Sequence, residues 1–282
     1  ALFAMELNQL RLNLGEQINS KVQTAVVKAR SDKEKDLARA ILDFASPLES
    51  ANYGPVEIAG ALRPSIVYGG SFWYHVLHND NLIFAIGKIS EQNGHLAAIA
   101  TTSLKSIFLS LSTSGKVNNQ TTALECINYI NRTFYQIYKG KIVCSLFFGI
   151  YSISQHQLTY VTAGPDFAPL YFNLATPQEL AALNLTSGPS LGKTETSTFQ
   201  EKSMTIKEQD ILFIQSPTLY ELRNDQAKPM GQKGILSMLV MAFKKFPRFL
   251  DAYIAFKNAI TGQQAKSQQV MDYAFLLINF KK

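Results

Sequence analysis

The side chains able to do chemistry in this chain are few and scattered. His75 and His78 stand three apart, close to Asp80. Imidazole and carboxylate hold a metal only where one face presents them together. These fall at a predicted strand end and turn, so they read as two exposed turn histidines. His95 lies near Glu91, where a polar loop residue is a simpler reading than a second active site. Gly188-Pro189-Ser190-Leu191-Gly192-Lys193-Thr194 ends like a phosphate-binding loop. It lacks the first glycine at the required spacing and no helical pattern follows, so it reads as a solvated loop. Cys126 and Cys144 sit inside apolar segments and read as buried free thiols of a reducing compartment.

The frame that must position these residues is an ordinary globular one. Of 282 residues, 46% are hydrophobic and 17% charged, which excludes disorder, collagen-like repeats and a disulfide scaffold. The net charge of +6 is spread thinly, and its densest stretch is Lys244, Lys245 and Arg248. No basic run with interleaved aromatics stands out, so nucleic acid is not an expected partner. No apolar run reaches the roughly 18 residues of a membrane span, so this stretch is expected to make no membrane contact. The opening Ala1-Leu2-Phe3-Ala4-Met5 has no basic leader region and reads as cut from a longer chain. That leaves room for a membrane anchor upstream of a cytoplasmic part.

Leu7, Leu10, Leu14 and Ile18 open an apolar stripe at steps of three or four, as on one face of a helix. Ser31-Asp32-Lys33-Glu34 fits a capping box that would restart the helix, which Pro47 then stops. The division expected is 1–46 as a helical linker or dimerisation segment and 47–282 as the main domain. Short β-branched and aromatic runs at 56–62, 66–76 and 82–89 predict strands. Helices follow at about 96–111 and 121–138. Strands return at 142–152, 158–162, 169–172, 199–206 and 211–215. Helices at 233–246 and 248–260, split at Pro247, precede a last strand at 270–280. The aromatic residues from Phe243 to Phe256 read as core. Strands, then helices, then strands argue α+β with antiparallel sheet.

Several segments match one pattern in order. Tyr68-Gly69-Gly70-Ser71-Phe72-Trp73-Tyr74 is similar to a G-G-D-F-Y-D segment. Ile86-Gly87-Lys88-Ile89-Ser90, then Gly94 and Ala97-Ala98, is similar to G-D-V-S-G-x-G-x-x-A-A. Leu158-Thr159-Tyr160-Val161-Thr162-Ala163-Gly164 is similar to L-x-Y-x-x-A-G. Residues 209–221, from Gln209-Asp210-Ile211 through Ser216-Pro217-Thr218 to Glu221, are similar to G-D-x-L-L-L-Y-T-D-G-L-Y-E. Asp272-Tyr273-Ala274-Phe275-Leu276-Leu277 is similar to D-D-x-T-L-L. Together, over roughly 33–282, the chain resembles the PPM-type (type 2C) protein serine/threonine phosphatases, in their bacterial sporulation and stress-response branch that regulates sigma factors.

The resemblance implies a four-layer sandwich: two antiparallel sheets flanked by helices, with an N-terminal helical extension. It also implies chemistry in which carboxylates hold two Mn²⁺ or Mg²⁺ ions that activate a water. At the positions matching those carboxylates this chain has Ser71, Lys88 and Pro217, and keeps only Asp272. Serine is a poor neutral ligand, proline offers no side-chain donor, and lysine puts a cation where dications would sit. The expectation is a catalytically degenerate domain with no metal cofactor and no catalytic residues. It would work by binding a protein regulator or phosphoprotein, fed by an upstream sensor, and would dimerise through Leu7, Leu10, Leu14 and Ile18. The alternative is a residual phosphatase with a non-standard ligand set. The Lys88 ammonium is further expected to reach Asp272, directly or through one water.

Overall fold

A strand that is apolar at every position must be covered on both faces. Two strands here, Cys144–Ser152 and Tyr273–Phe280, are buried almost throughout. The computed structural model describes residues 2–45, 48–63, 70–90, 94–113, 121–267 and 271–281. In the first helix the side chains of residues 2–8, 10, 12, 39 and 42–45 fall outside that description.

One sheet runs in the order β1 (Ser50–Asn52), β2 (Val56–Arg63), β12 (Tyr273–Phe280), β11 (Asp210–Gln215), β7 (Leu170–Asn173), β8 (Ala181–Ala182). The other runs β10 (Glu201–Thr205), β6 (Gln157–Ala163), β5 (Cys144–Ser152), β4 (Asn81–Ile89), β3 (Ser71–His78). All these pairings are antiparallel; the short β9 (Ser187–Gly188) joins β6 in parallel. Helices α2 (Gly94–Thr113) and α3 (Ala123–Tyr138) cover the second sheet, and α4 (Gly231–Lys245) and α5 (Phe249–Ser267) cover the first.

Alternation along each strand builds the layers. In β5, Leu146, Phe148 and Ile150 face α2 and α3, while Phe147 and Tyr151 face the other sheet. In β12, Tyr273, Phe275 and Leu277 face α4 and α5, while Ala274, Leu276 and Ile278 fill the middle. The result is the expected α+β four-layer sandwich. The aromatic residues of α4 and α5 are core: Phe243 packs on Phe172 and Phe256 on Phe213, both edge to face. Local signals agree with the packing. Thr122 and Glu125 form a reciprocal capping box at the start of α3.

Two expectations change. Helix α1 (Leu2–Ala45) is continuous, so the capping box at Ser31 does not form. Without a proline or glycine beside it, that sequence continues the helix, and Arg30 pairs with Glu34 one turn on. Toward its C-terminal end α1 packs on α2, with Ala38 against Ala98 and Ile41 beside them. Also, the stretch His95–Thr113 is long and apolar enough to cross a bilayer, although Ser and Thr interrupt it. Half of it is buried in the sandwich, with Ala97, Leu104 and Phe108 packed into the core.

Candidate functional site

The site begins with a row of residues across three strand ends. Ser71 of β3 pairs with Lys88 of β4, which pairs with Ser145 of β5. Directly opposed residues share a face. Two positions along, Trp73, Ile86 and Phe147 form the next such row and lie between the sheets. The Ser71–Lys88–Ser145 row therefore continues the inner face to its rim.

The first sheet brings Asp272 to the same rim, just ahead of β12. The Ser71 hydroxyl donates to Asp272 Oδ2 at 2.9 Å, and the Gly70 amide approaches the same oxygen at 3.4 Å. Ser71 is wholly buried and Asp272 is 7% exposed. Oδ1 of Asp272 is buried and has no hydrogen-bond partner among the described residues. Burial pushes the Asp272 carboxyl above the usual carboxylate range; the Ser71 hydroxyl, the Gly70 amide and the field of Lys88 oppose that push without cancelling it. Pro217 opens a short 3₁₀ turn, Pro217–Glu221. Ser216, just before it, is stitched to β12 by its amide on the Ala274 carbonyl and by the Ala274 amide on its hydroxyl, at 2.8 and 3.0 Å.

The fold thus brings Ser71, Lys88 and Asp272 together and sets Pro217 at the start of the turn after β11, next to Ser216, which is bonded to β12. The direct Lys88–Asp272 ion pair does not form; the nearer Ser71 hydroxyl and Gly70 amide take the carboxylate, and the charge of Lys88 acts on it. Ser145 and the Gly70 amide are members that sequence reading missed; strand register alone reveals the first. The donor set does not suit two hard dications, which need several charged oxygens. Among the described residues it offers one carboxylate, one hydroxyl already committed to it, and an ammonium. Of the proposed dimer stripe, Leu14 and Ile18 are more than half exposed, and the side chains of Leu7 and Leu10 lie outside the described residues.

The other candidates resolve into structure. His75 and His78 both lie within β3 rather than in a turn, and neither is fully exposed. His75 stacks on Trp73 and meets the Tyr53 hydroxyl at 2.8 Å through Nδ1. Burial pulls its pKa down to about 4, so it is neutral at pH 7. His95 sits in the first turn of α2, and Glu91 lies outside the described residues. The glycine-rich stretch 188–194 is a latch. Asn131 of α3 accepts from the Gly192 amide at 2.8 Å and donates to the Thr194 carbonyl at 3.0 Å. Leu191 bridges to Cys144. The same stretch also spells Gly-x-Ser-x-Gly around Ser190, but no helix follows it, as a nucleophile elbow requires. Both thiols are buried, and desolvation pushes Cys126 up to about 12 and Cys144 higher still, so neither is a nucleophile.

Comparison with known proteins agrees with this fold. A search of curated protein sequences finds no match. Among solved structures, the chain is similar to the SiaA-PP2C domain of Pseudomonas aeruginosa, with a TM-score of 0.68 at 14% identity, covering 92% of this chain and 98% of that one. It is similar to the RsbU and RsbW domains of a Mycobacterium tuberculosis protein, with a TM-score of 0.66 at 16% identity, covering 84% of this chain but only 63% of that one. It is also similar to the PP2C phosphatase domain and regulatory fragment of SpoIIE from Bacillus subtilis, with a TM-score of 0.60 at 14% identity, covering 83% and 65%. At such identities these likenesses carry the fold alone. The sequence profile of Stage II sporulation protein E (SpoIIE) matches residues 79–272, which is more than half of the chain. The chain therefore belongs to the SpoIIE family of PPM-type phosphatase domains.

Proposed function

We propose that this domain is a catalytically degenerate member of its family that signals by binding a protein partner. The observation that carries the reading is the Ser71 hydroxyl donating to Asp272 with Lys88 opposite it, where the fold's chemistry calls for a cluster of carboxylates. A hydrogen bond and an ammonium there supply part of what two cations would supply: they temper a buried carboxylate without activating a water. The partner class is a protein regulator or phosphoprotein, in keeping with relatives solved as RsbU with RsbW domains and as part of a stressosome study. The setting that fits is sigma-factor regulation in a bacterial cytoplasm, under an upstream sensor. Exposed Leu14 and Ile18 on α1, followed by Val22 and Val26, support a homodimer through that helix. Light scattering is expected to give a dimer that weakens when residues 1–30 are removed; a monomer at high micromolar concentration would contradict it.

The test of the main reading is hydrolysis of an aryl phosphate and of a phosphoserine peptide, with and without millimolar Mn²⁺. The expected result is no turnover above the buffer blank in either condition. Manganese-dependent turnover would favour the second reading, a residual phosphatase with a non-standard ligand set. Oδ1 of Asp272, without a hydrogen-bond partner among the described residues, is a feature that favours this alternative.

A further inference from the structure

Strand β1 pairs only with Glu57, Ile58 and Ala59 of β2. The Gly60 amide still reaches the Glu49 carbonyl at 2.9 Å, and beyond it the edge of β2 opens onto a cavity of about 360 Å³ between the sheet edge and α5. That volume is within the range of small-ligand sites. Its walls combine cations and aromatic surface: Arg63, Lys257, Thr261, Trp73 and Tyr273, with Glu49 at one side.

The charges are unequally committed. Glu49 pairs with Lys257 and accepts from the Tyr253 hydroxyl. Arg63 is exposed and makes no ion pair among the described residues. Two cations face one carboxylate, so the cavity carries one positive charge in excess. Trp73 is 3% exposed, and its indole Nε1–H has no acceptor within the described chain. Gly60 is what lets the indole lie so close: a Cβ there would come within 2.9 Å of the Trp73 ring and of the Phe275 carbonyl.

We propose that this cavity is a binding site for a small organic carboxylate with a compact aromatic or apolar body. The Arg63 guanidinium matches the carboxylate in geometry and charge, and Trp73 and Tyr273 supply the flat apolar walls. The site is separate from the rim row but shares its strands: Trp73 is two residues from Ser71, and Tyr273 follows Asp272. It does not depend on whether the domain hydrolyses phosphate.

Trp73 is the only tryptophan in the chain, so the protein carries its own reporter. The test titrates the full chain with sodium phenylacetate and, separately, with phenylacetamide. It follows tryptophan fluorescence and the indole N–H signal in a proton–nitrogen NMR spectrum. The expected result is a saturable change with phenylacetate and binding of the neutral amide weaker by at least about tenfold, the size of one lost charged hydrogen bond. Arg63→Met should weaken phenylacetate by a similar factor, and Arg63→Lys should recover part of it. No saturable change up to tens of millimolar phenylacetate would overturn the proposal. So would equal binding of acid and amide, a comparison made on the unaltered protein and therefore independent of how the variants fold.

Discussion

The β3–β4 hairpin has an aspartate at each end, and both are met by serine hydroxyls, yet their environments push them in opposite directions. At the turn, Asp80 accepts from the Ser154 amide, the Ser154 hydroxyl and the Ser152 hydroxyl. Those bonds, the Ser154 hydroxyl first, hold its carboxyl below the usual range. At the rim, Asp272 has one hydroxyl and a long amide contact on one oxygen, and among the described residues no bonded partner within range on the other. Desolvation wins there and its carboxyl is pushed up. The turn aspartate is placed to make its hairpin fold, with donors enough to repay its partial burial. The rim aspartate is kept in a place that costs stability.

This contrast breaks most easily at Ser71. Ser71→Ala would remove the hydroxyl from a buried carboxylate and is expected to cost about 2–3 kcal/mol, since the stranded group keeps its full desolvation penalty. Urea denaturation at pH 7 reads this directly. A loss below the error of the method would mean that Asp272 is already protonated or hydrated.

Asp272→Asn should act in the opposite direction and sharpen the contrast. A carboxyl whose folded pKa lies above its unfolded value binds protons more tightly in the folded state. Its presence therefore lowers stability as pH rises from the unfolded value of about 4 through the folded one. The amide is expected to gain about 1 kcal/mol over wild type at pH 8, and the gain should vanish toward pH 4. Denaturation curves across that window test it, and a variant less stable than wild type at pH 8 would reverse the account of the rim.

Asp80→Ala is the smaller effect and has the reverse sign. Its folded pKa is depressed, so its contribution is present above the unfolded value and lost as pH falls through the folded one. Because the group is near the surface, a loss of only about 1 kcal/mol at pH 7 is expected after solvent screening. It should shrink to nothing at the acid end of the same titration.

The legible parts of this molecule are those fixed by local pattern. Continuous apolar strands, the capped α3 and the break at Pro247 follow from side-chain alternation and helix-end chemistry. The glycines around the rim were readable for a similar reason: Gly164 has φ of 78° and a Cβ there would strike the Ser145 hydroxyl at 2.5 Å, so no other residue fits. The substitutions at Ser71, Lys88 and Pro217 stood out against that fixed background. The Ser71–Asp272 bond did not, because its members are 201 residues apart and only the docking of two sheets brings them together. The direct Lys88–Asp272 pair is absent for the same reason: charge predicts attraction, but which donor arrives first is decided by strand register. The helix restart at Ser31 failed because a four-residue cap pattern is weak where helix formers continue on both sides. The turn expected at His75 and His78 is replaced by strand because β3 runs on to His78, and Tyr53 and Trp73 enclose the His75 ring.

Calorimetric titration of Mn²⁺ into the metal-free full chain at pH 7.5 tests the central claim most directly. With one committed carboxylate, one hydroxyl and an ammonium at the rim, the expected result is no binding heat beyond dilution up to millimolar Mn²⁺, and a melting temperature that does not move. Two ions binding with micromolar affinity, and a melt raised by the roughly 2.7 kcal/mol that a ligand at one hundred times its Kd contributes, would contradict it.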